Sequence, residues 1–204
     1  MIVLDIPLKD EDIQGLRVGD LVMLNGDIFT GRSGFYTKAL APDAVFPLDT
    51  STHNVMLHTG PIMGKDEDGN WRVNAISITT GVRYNKWEPE NICRLGLKAI
   101  ISKGRVGKET RAAMQKYSCV HLCRTGTFAG AFARNVTRVN SVHWLELGTP
   151  EALWDLHFEQ FGPFVVETDV RGNSYYDHVL DGLHERVDQA YRCLGIENFG
   201  FAEK

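Results

Sequence analysis

The amino-acid sequence predicts an α/β domain, and two observations lead to that class. After Trp71, short apolar runs alternate with helical stretches of ten or so residues, the grammar of βαβ units and a largely parallel sheet. The composition agrees: 43% hydrophobic and 24% charged residues over 204 positions are ordinary globular values. A chain of this length buries about 70% of its unfolded surface, enough for a core without disulfide or metal staples. Residues 1–204 therefore read as one domain with a β-rich front and an α/β back.

The elements follow in order. Ile2-Val3-Leu4-Asp5-Ile6-Pro7-Leu8 reads as a strand ended by Pro7, with a short helical turn over Glu11–Gly15. Leu21–Leu24 and Asp27–Thr30 read as two strands joined at Asn25-Gly26, the strongest short hairpin signal, because both central positions of a type I′ turn need positive φ. Residues 31–41 are expected to be helical and 42–52 to be loop. Val55-Met56-Leu57 is a short apolar run, followed by the loop His58-Thr59-Gly60-Pro61 and a polar turn over Lys65–Asn70. Further on, Ala99–Ser102 reads as a buried strand, Lys108–Tyr117 as a helix and Cys119–Cys123 as a strand. Phe128–Val139 reads as a helix, and Val142–Leu145 and Phe164–Thr168 as strands, the last turned by Arg171-Gly172-Asn173. The chain ends in a helix over about 177–194. Val179, Leu180, Leu183, Val187, Tyr191 and Leu194 form one stripe on it, expected to pack on the body.

No run approaches the roughly 18–20 apolar residues of a membrane span, and the acidic Lys9-Asp10-Glu11-Asp12 stretch is unlike a signal peptide. No membrane association and a cytoplasmic location are expected. The net charge is -4, but residues 71–140 hold 13 Lys+Arg against 3 Asp+Glu, while both flanking thirds are acidic. A basic middle inside an acidic protein suggests a local anionic ligand. The acidic envelope opposes a nucleic acid.

Several motifs fail on inspection. Gly104-Arg105-Val106-Gly107-Lys108-Glu109-Thr110 resembles a phosphate loop but has Ser102 where the first glycine belongs and no Ser or Thr after Lys108. Cys119 and Cys123 are four apart on a strand, Cys93 and Cys193 are remote, and no Cys-x-x-Cys or histidine pair accompanies them. A zinc site or iron–sulfur cluster held by this chain alone is not expected, and no metal ligand is assigned. What remains is a set of glycine-hinged basic residues at strand-to-loop positions: Thr30-Gly31-Arg32, Thr79-Thr80-Gly81-Val82-Arg83, Ser102-Lys103-Gly104 and Arg124-Thr125-Gly126-Thr127. Glycine neighbours and helix amino termini let backbone N–H groups approach an anion. Arginine holds a carboxylate through two parallel bonds, and lysine supplies a point charge. Converging, such groups suit a small di- or tricarboxylate; singly, each is more often a turn residue.

The stretch Leu16-Arg17-Val18-Gly19-Asp20-Leu21-Val22, Gly26 and Ile28-Phe29-Thr30-Gly31-Arg32 resembles the start of the class I fumarase carboxy-terminal domain, the β subunit of two-subunit fumarases and L(+)-tartrate dehydratases. The order continues with Thr59-Gly60-Pro61, Thr79-Thr80-Gly81-Val82-Arg83 and Ser102-Lys103-Gly104. It ends with Glu146-Leu147-Gly148, Glu151-Ala152-Leu153-Trp154, Pro163-Phe164-Val165-Val166 and Gly172-Asn173. The resemblance covers about residues 14 to 178.

It implies a swivelling β/β/α domain working with a separate iron–sulfur α subunit in the reversible hydration of a small dicarboxylate, fumarate/malate first and tartrate next. The implied assembly is a hetero-oligomer, with a homodimer when the chain is alone. The implied [4Fe–4S] cluster is held by three cysteines of the partner, with one iron open to act as a Lewis acid on the leaving hydroxyl. Carried over by position, Arg32, Arg83 and Lys103 would bind substrate carboxylates, and Thr79 would occupy the catalytic base position. Lys103 would also stabilise the dianionic aci-carboxylate formed when a proton leaves beside a carboxylate. A threonine hydroxyl is a poor base and needs a proton acceptor or a strongly positive field. Five positions depart from the family pattern: Ser33 and Tyr36 stand where Asp and His are usual, Ser77-Ile78 replaces Gly-Pro, and Ser102 replaces the first glycine of Gly-Lys-Gly. They leave substrate identity open. The alternative is a non-catalytic carboxylate-binding or regulatory swivelling module. For a shared site, Arg32, Thr79, Arg83 and Lys103 must face one cleft.

Overall fold

The computed structural model describes residues 1–124 and 129–196. Strand β1 (Ile2–Asp5) and helix α1 (Asp10–Gln14) lead into β2 (Leu21–Gly31), which runs directly into helix α2 (Ser33–Ala39). After a loop come β3 (Val55–His58) and the hairpin of β4 (Ile62–Lys65) and β5 (Trp71–Ala75). Helix α3 (Glu88–Leu95), strand β6 (Ala99–Ser102), helix α4 (Lys108–Tyr117) and strand β7 (Val120–Cys123) follow. The short α5 (Ala129–Ala133) precedes β8 (Val136–His143) and the 16-residue β9 (Leu153–Thr168). Helices α6 (Tyr175–Asp181) and α7 (Leu183–Cys193) end the described chain.

Strands β1, β2, β3, β6 and β7 pair in parallel, whereas β9 runs antiparallel to β2, β7 and β8. Because β9 joins β7 to β2, the ring β2–β3–β6–β7–β9 closes on itself like a barrel. The α/β class holds. The largely parallel sheet holds for five strands and gives way at β8 and β9.

Alternation sorts the core into two layers. Val22, Leu24, Leu57, Ile101, Leu122, Phe158, Phe161 and Phe164 fill one cluster. Met56 and Ile100, next in sequence to Leu57 and Ile101, pack outward with Cys119 and with Phe35, Tyr36, Tyr84, Ile92 and Met114 of α2, the 81–84 turn, α3 and α4. Strands β3, β6 and β7 are buried at every position, so they read as mostly apolar runs with no solvent-facing side. On β3, β6 and β7 three polar side chains, His58, Ser102 and His121, interrupt the outward layer, all fully buried.

Three expectations need correction. Asn25-Gly26 is no hairpin turn but a bulge inside β2. The first half of β2 pairs with β1, the second with β3, and both halves with β9, so the strand has partners throughout. Gly26 has φ +116, and a Cβ there would lie 2.9 Å from that of Ile6, so glycine permits the bulge. The Asn25 amide oxygen accepts from the Gln160 N–H at 2.8 Å, serving the shifted ladder. The helix expected over Phe128–Val139 is only the turn Ala129–Ala133, followed by strand β8; Phe128 lies outside the described residues. The β-branched Val136, Thr137, Val139 and Val142 fit an edge strand better than a helix. Finally, the terminal helix is broken at Gly182, and Val179, Leu180, Leu183 and Leu194 are exposed instead of packing on the body. No helix among the described residues is long and apolar enough to cross a membrane.

Candidate functional site

Parallel strands end together, so residues just past their carboxyl ends meet in one crevice, where open α/β sheets bind ligands. Arg32 is the first residue after β2, Thr59-Gly60 follow β3, and Lys103 follows β6. Between the ends of β3 and β6 lies the 78–81 segment. The Thr79 N–H donates to the His58 carbonyl at 2.6 Å, the Lys103 N–H to the Thr79 carbonyl at 3.1 Å, and the Gly81 N–H to the Lys103 carbonyl at 3.0 Å. These bonds, with bridges Thr59–Ile78 and Thr80–Lys103, lay the segment across the strand ends. It then turns as a short 3-10 helix over Gly81–Tyr84 that carries Arg83 outward.

The result is an open polar cleft of about 260 Å³ lined by Arg32, Gly60, Thr79, Thr80, Arg83 and Lys103, with Ser77 and Ile78. All four residues singled out from the sequence share it, although they come from three motifs spread over 71 positions. Three cations and two threonines line it with no carboxylate, so it suits a small, doubly charged anion. Arg124 does not join them: its guanidinium donates to the Gly162 carbonyl at 2.6 Å and lies 4.7 Å from the Phe132 ring centre. Residues 125–127 of that motif lie outside the described chain.

The Arg32 side chain is held from behind. Its Nε lies 3.4 Å from Glu151 Oε1, while Glu151 Oε2 accepts from the Gly34 N–H at 2.8 Å in the first turn of α2. Gly60 supplies the other wall: a Cβ there would lie 2.7 Å from both Arg32 Nη1 and the Pro150 carbonyl. Glu151 belongs to the stretch quoted for the family resemblance, but its place behind Arg32 had no signal in the sequence.

Beneath the cleft lie two buried polar groups that sequence reasoning missed. Tyr36 and His58 Nε2 share a 2.7 Å hydrogen bond, and Glu88 Oε1 lies 3.6 Å from the same nitrogen. Burial pushes the Glu88 carboxyl up to about 8, against the pull of the Thr110 side chain. Burial, with the charge of His121, pushes His58 down to about 3. Around neutral pH this is an uncharged pair. Tyr36 stacks on Trp87 at 5.3 Å and is fully buried, so it is core and does not line the cleft. Ser33 is exposed on α2. The second group is Ser102–His121–Glu167. Ser102 Oγ and His121 Nε2 are 2.6 Å apart, and His121 Nδ1 and Glu167 Oε2 2.7 Å. Burial pushes the Glu167 carboxyl up, but bonds from His121, Ser174 and Thr168 more than offset it and hold it below the ordinary range.

The thiols lie elsewhere. Cys119 and Cys123 are buried on the β7 side, where burial raises both above the ordinary thiol range, and Cys93 and Cys193 are exposed on α3 and α7. Among the described residues no group of three His, Cys, Asp or Glu side chains is placed to hold a metal ion.

The fumarase C-terminus family model matches residues 1–179. A protein of Methanocaldococcus jannaschii provisionally named L(+)-tartrate dehydratase subunit beta is 37% identical over 186 residues, covering 89% of this chain and 94% of that protein. The L(+)-tartrate dehydratase subunit beta of Escherichia coli K12 is 34% identical over 172 residues, 84% of this chain and 85% of that subunit. A protein of Geobacillus stearothermophilus provisionally named class I fumarate hydratase is 35% identical over 189 residues; this chain spans 93% of its own length there but only 36% of that longer protein. With strand-end cations, the 79–83 segment and the family match on one chain, this protein belongs to the fumarase C-terminus family.

Proposed function

We propose that this chain is the β subunit of a two-subunit iron–sulfur hydro-lyase that reversibly hydrates a small dicarboxylate, fumarate/malate or tartrate. The observation that carries the reading is the convergence of Arg32, Thr79, Arg83 and Lys103 on one cleft free of carboxylates. Relatives named as separate β subunits, matched over 94% and 85% of their lengths, support a partner α subunit and a hetero-oligomer. Residues 1–204 would act as one domain of the swivelling β/β/α type, in the cytoplasm; a barrel closed on itself with helices against it is a body suited to moving as a unit.

Arg32 and Arg83 would each clamp a substrate carboxylate, with Glu151 lying 3.4 Å from the Arg32 Nε as a countercharge. Lys103, fixed at the end of β6, would lie beside the carboxylate next to the carbon that loses its proton. There its charge offsets the second negative charge of the aci-carboxylate, where fixed charge lowers the barrier most. Thr79 would face the reacting carbon from the base position; three cations around it supply the positive field its hydroxyl needs to give up a proton. Buried, protonated Cys119 and Cys123 and isolated Cys93 and Cys193 make no cluster ligand set, so the reading assigns the [4Fe–4S] group to the partner. That group supplies Lewis acidity toward the leaving hydroxyl.

The test is co-expression with a three-cysteine α partner, anaerobic reconstitution and a panel of fumarate, malate and tartrate isomers. Turnover of one of them by the complex, and none by the colourless isolated chain, is expected. Dicarboxylate binding without turnover in the complex would instead leave the non-catalytic binding module.

A further inference from the structure

Ser102, His121 and Glu167 make one continuous hydrogen-bonded chain, and all three are at most 1% exposed. The Glu167 end is fully engaged. Its Oε2 also accepts from the Thr168 hydroxyl at 2.8 Å, and its Oε1 from the Ser174 hydroxyl at 2.5 Å. Glu167 holds the ring at Nδ1 and Ser102 holds it at Nε2, so both nitrogens of His121 are engaged and the ring orientation is fixed. The serine rotamer is thus set by a group anchored on β7 and β9, not by β6 itself.

These residue types serve as a nucleophilic triad in other proteins, but enclosure rules that out here. A Cβ on Gly81 would collide with Ser102 Oγ, so the 79–81 segment packs its backbone directly over the hydroxyl, and no substrate reaches it. The same contact places the chain under the cleft. Gly81 donates to the Lys103 carbonyl, and Lys103 donates to the Thr79 carbonyl. Lys103 follows Ser102 in sequence and is clasped on both sides by the segment that Ser102 supports. A displacement of Ser102 therefore reaches Lys103 and Thr79 through two backbone bonds and one peptide link.

We propose that Ser102–His121–Glu167 is a buried positioning relay that holds Lys103 and the Thr79–Gly81 segment at their places in the cleft, an inference that rests on the hydro-lyase reading for its effect on turnover. Its members are positioning residues, since none touches the cleft. The relay assigns a task to Ser102, which stands in place of the first glycine of Gly-Lys-Gly.

Two readouts test it. In the assembled complex, Ser102→Ala is expected to lower kcat on the order of 10–100-fold, the range that misalignment of a catalytic group costs, with KM changed far less. In a Lys103→Met background the same substitution is expected to cost less than it does in wild type, because the part of its effect that runs through the Lys103 ammonium is already lost. Equal losses in both backgrounds, or an unchanged kcat in a folded Ser102→Ala complex, overturn the proposal; a lower melting temperature alone marks a structural role. The second readout needs no activity. In the isolated chain, amide resonances of Lys103 and Gly81 are expected to shift in Glu167→Gln, a shape-preserving change at the far end of the relay. Shifts confined to β7, β9 and Ser174 overturn it. An inactive wild-type complex with relay-dependent Lys103 shifts would sink the hydro-lyase reading and leave the relay standing.

Discussion

The molecule buries two histidine–glutamate pairs under one cleft and treats them in opposite ways. His58 and Glu88 sit 3.6 Å apart at 0% exposure, and burial drives both toward their uncharged forms. His121 and Glu167 are equally buried and 2.7 Å apart, yet Glu167 stays ionised. Hydrogen-bond supply separates them. Glu167 accepts from His121, Thr168 and Ser174, whereas both Glu88 oxygens lack a well-formed bond and His58 spends its Nε2 on Tyr36. Depth alone does not decide charge; a carboxylate keeps its charge in the interior when enough donors replace the water it lost.

Removing Glu167 tests that statement hardest. Glu167→Ala would strand His121, Thr168 and Ser174 in a dry site, with an expected stability loss of about 3–5 kcal/mol, read by chemical denaturation. Glu88 should respond differently. Its folded pKa of about 8 lies above the ordinary 4.5, so the folded state holds one proton more than the unfolded state between those values. The contribution of Glu88 therefore worsens as pH rises from about 4.5 to about 8, and Glu88→Gln is expected to remove that decline. The variant should match wild type at pH 4.5 and exceed it by a few kcal/mol at pH 8; equal pH profiles would mean that Glu88 is charged when folded. The smallest effect is expected from Tyr36→Phe, which deletes one buried hydrogen bond to His58 and costs about 0.5–1.5 kcal/mol. A change in substrate affinity from this variant would contradict the assignment of Tyr36 to the core.

The contrast also marks what the sequence could reveal. Fully buried strands announce themselves, so β3, β6 and β7 were legible as short, mostly apolar runs and α4 as the helix between two of them. Long shared strands were not. β2 carries Asn25-Gly26, and β9 carries Gly162-Pro163; local turn chemistry at both yields to pairing with partners distant in the chain. Helix α3 hid behind its polar start, though Pro89 near its beginning and the left-handed Gly96 just past its end are usable signals. The cleft was readable in two steps: basic residues close to glycines at strand or turn ends included Arg32, Arg83 and Lys103 but equally Arg124, and the family resemblance then singled out Arg32, Thr79, Arg83 and Lys103. The groups beneath it were not. His121 and Glu167 are 46 positions apart, and Tyr36 and His58 are 22, on different elements, so no spacing rule links them.

The central claim is that this chain supplies the carboxylate-holding, charge-stabilising half of a hydro-lyase site, and Lys103 is its most direct probe. The deciding measurement is steady-state dicarboxylate hydration by the reconstituted two-subunit complex, wild type against Lys103→Met, with folding checked by circular dichroism. The expected result is a loss in kcat on the order of 10²–10³-fold, as for removal of one group that stabilises transition-state charge, with stability within about 0.5 kcal/mol of wild type. A rise in KM alone would reduce Lys103 to a uniform binding contact. Unchanged kcat and KM in a folded, active complex would contradict the claim and leave Lys103 a surface charge.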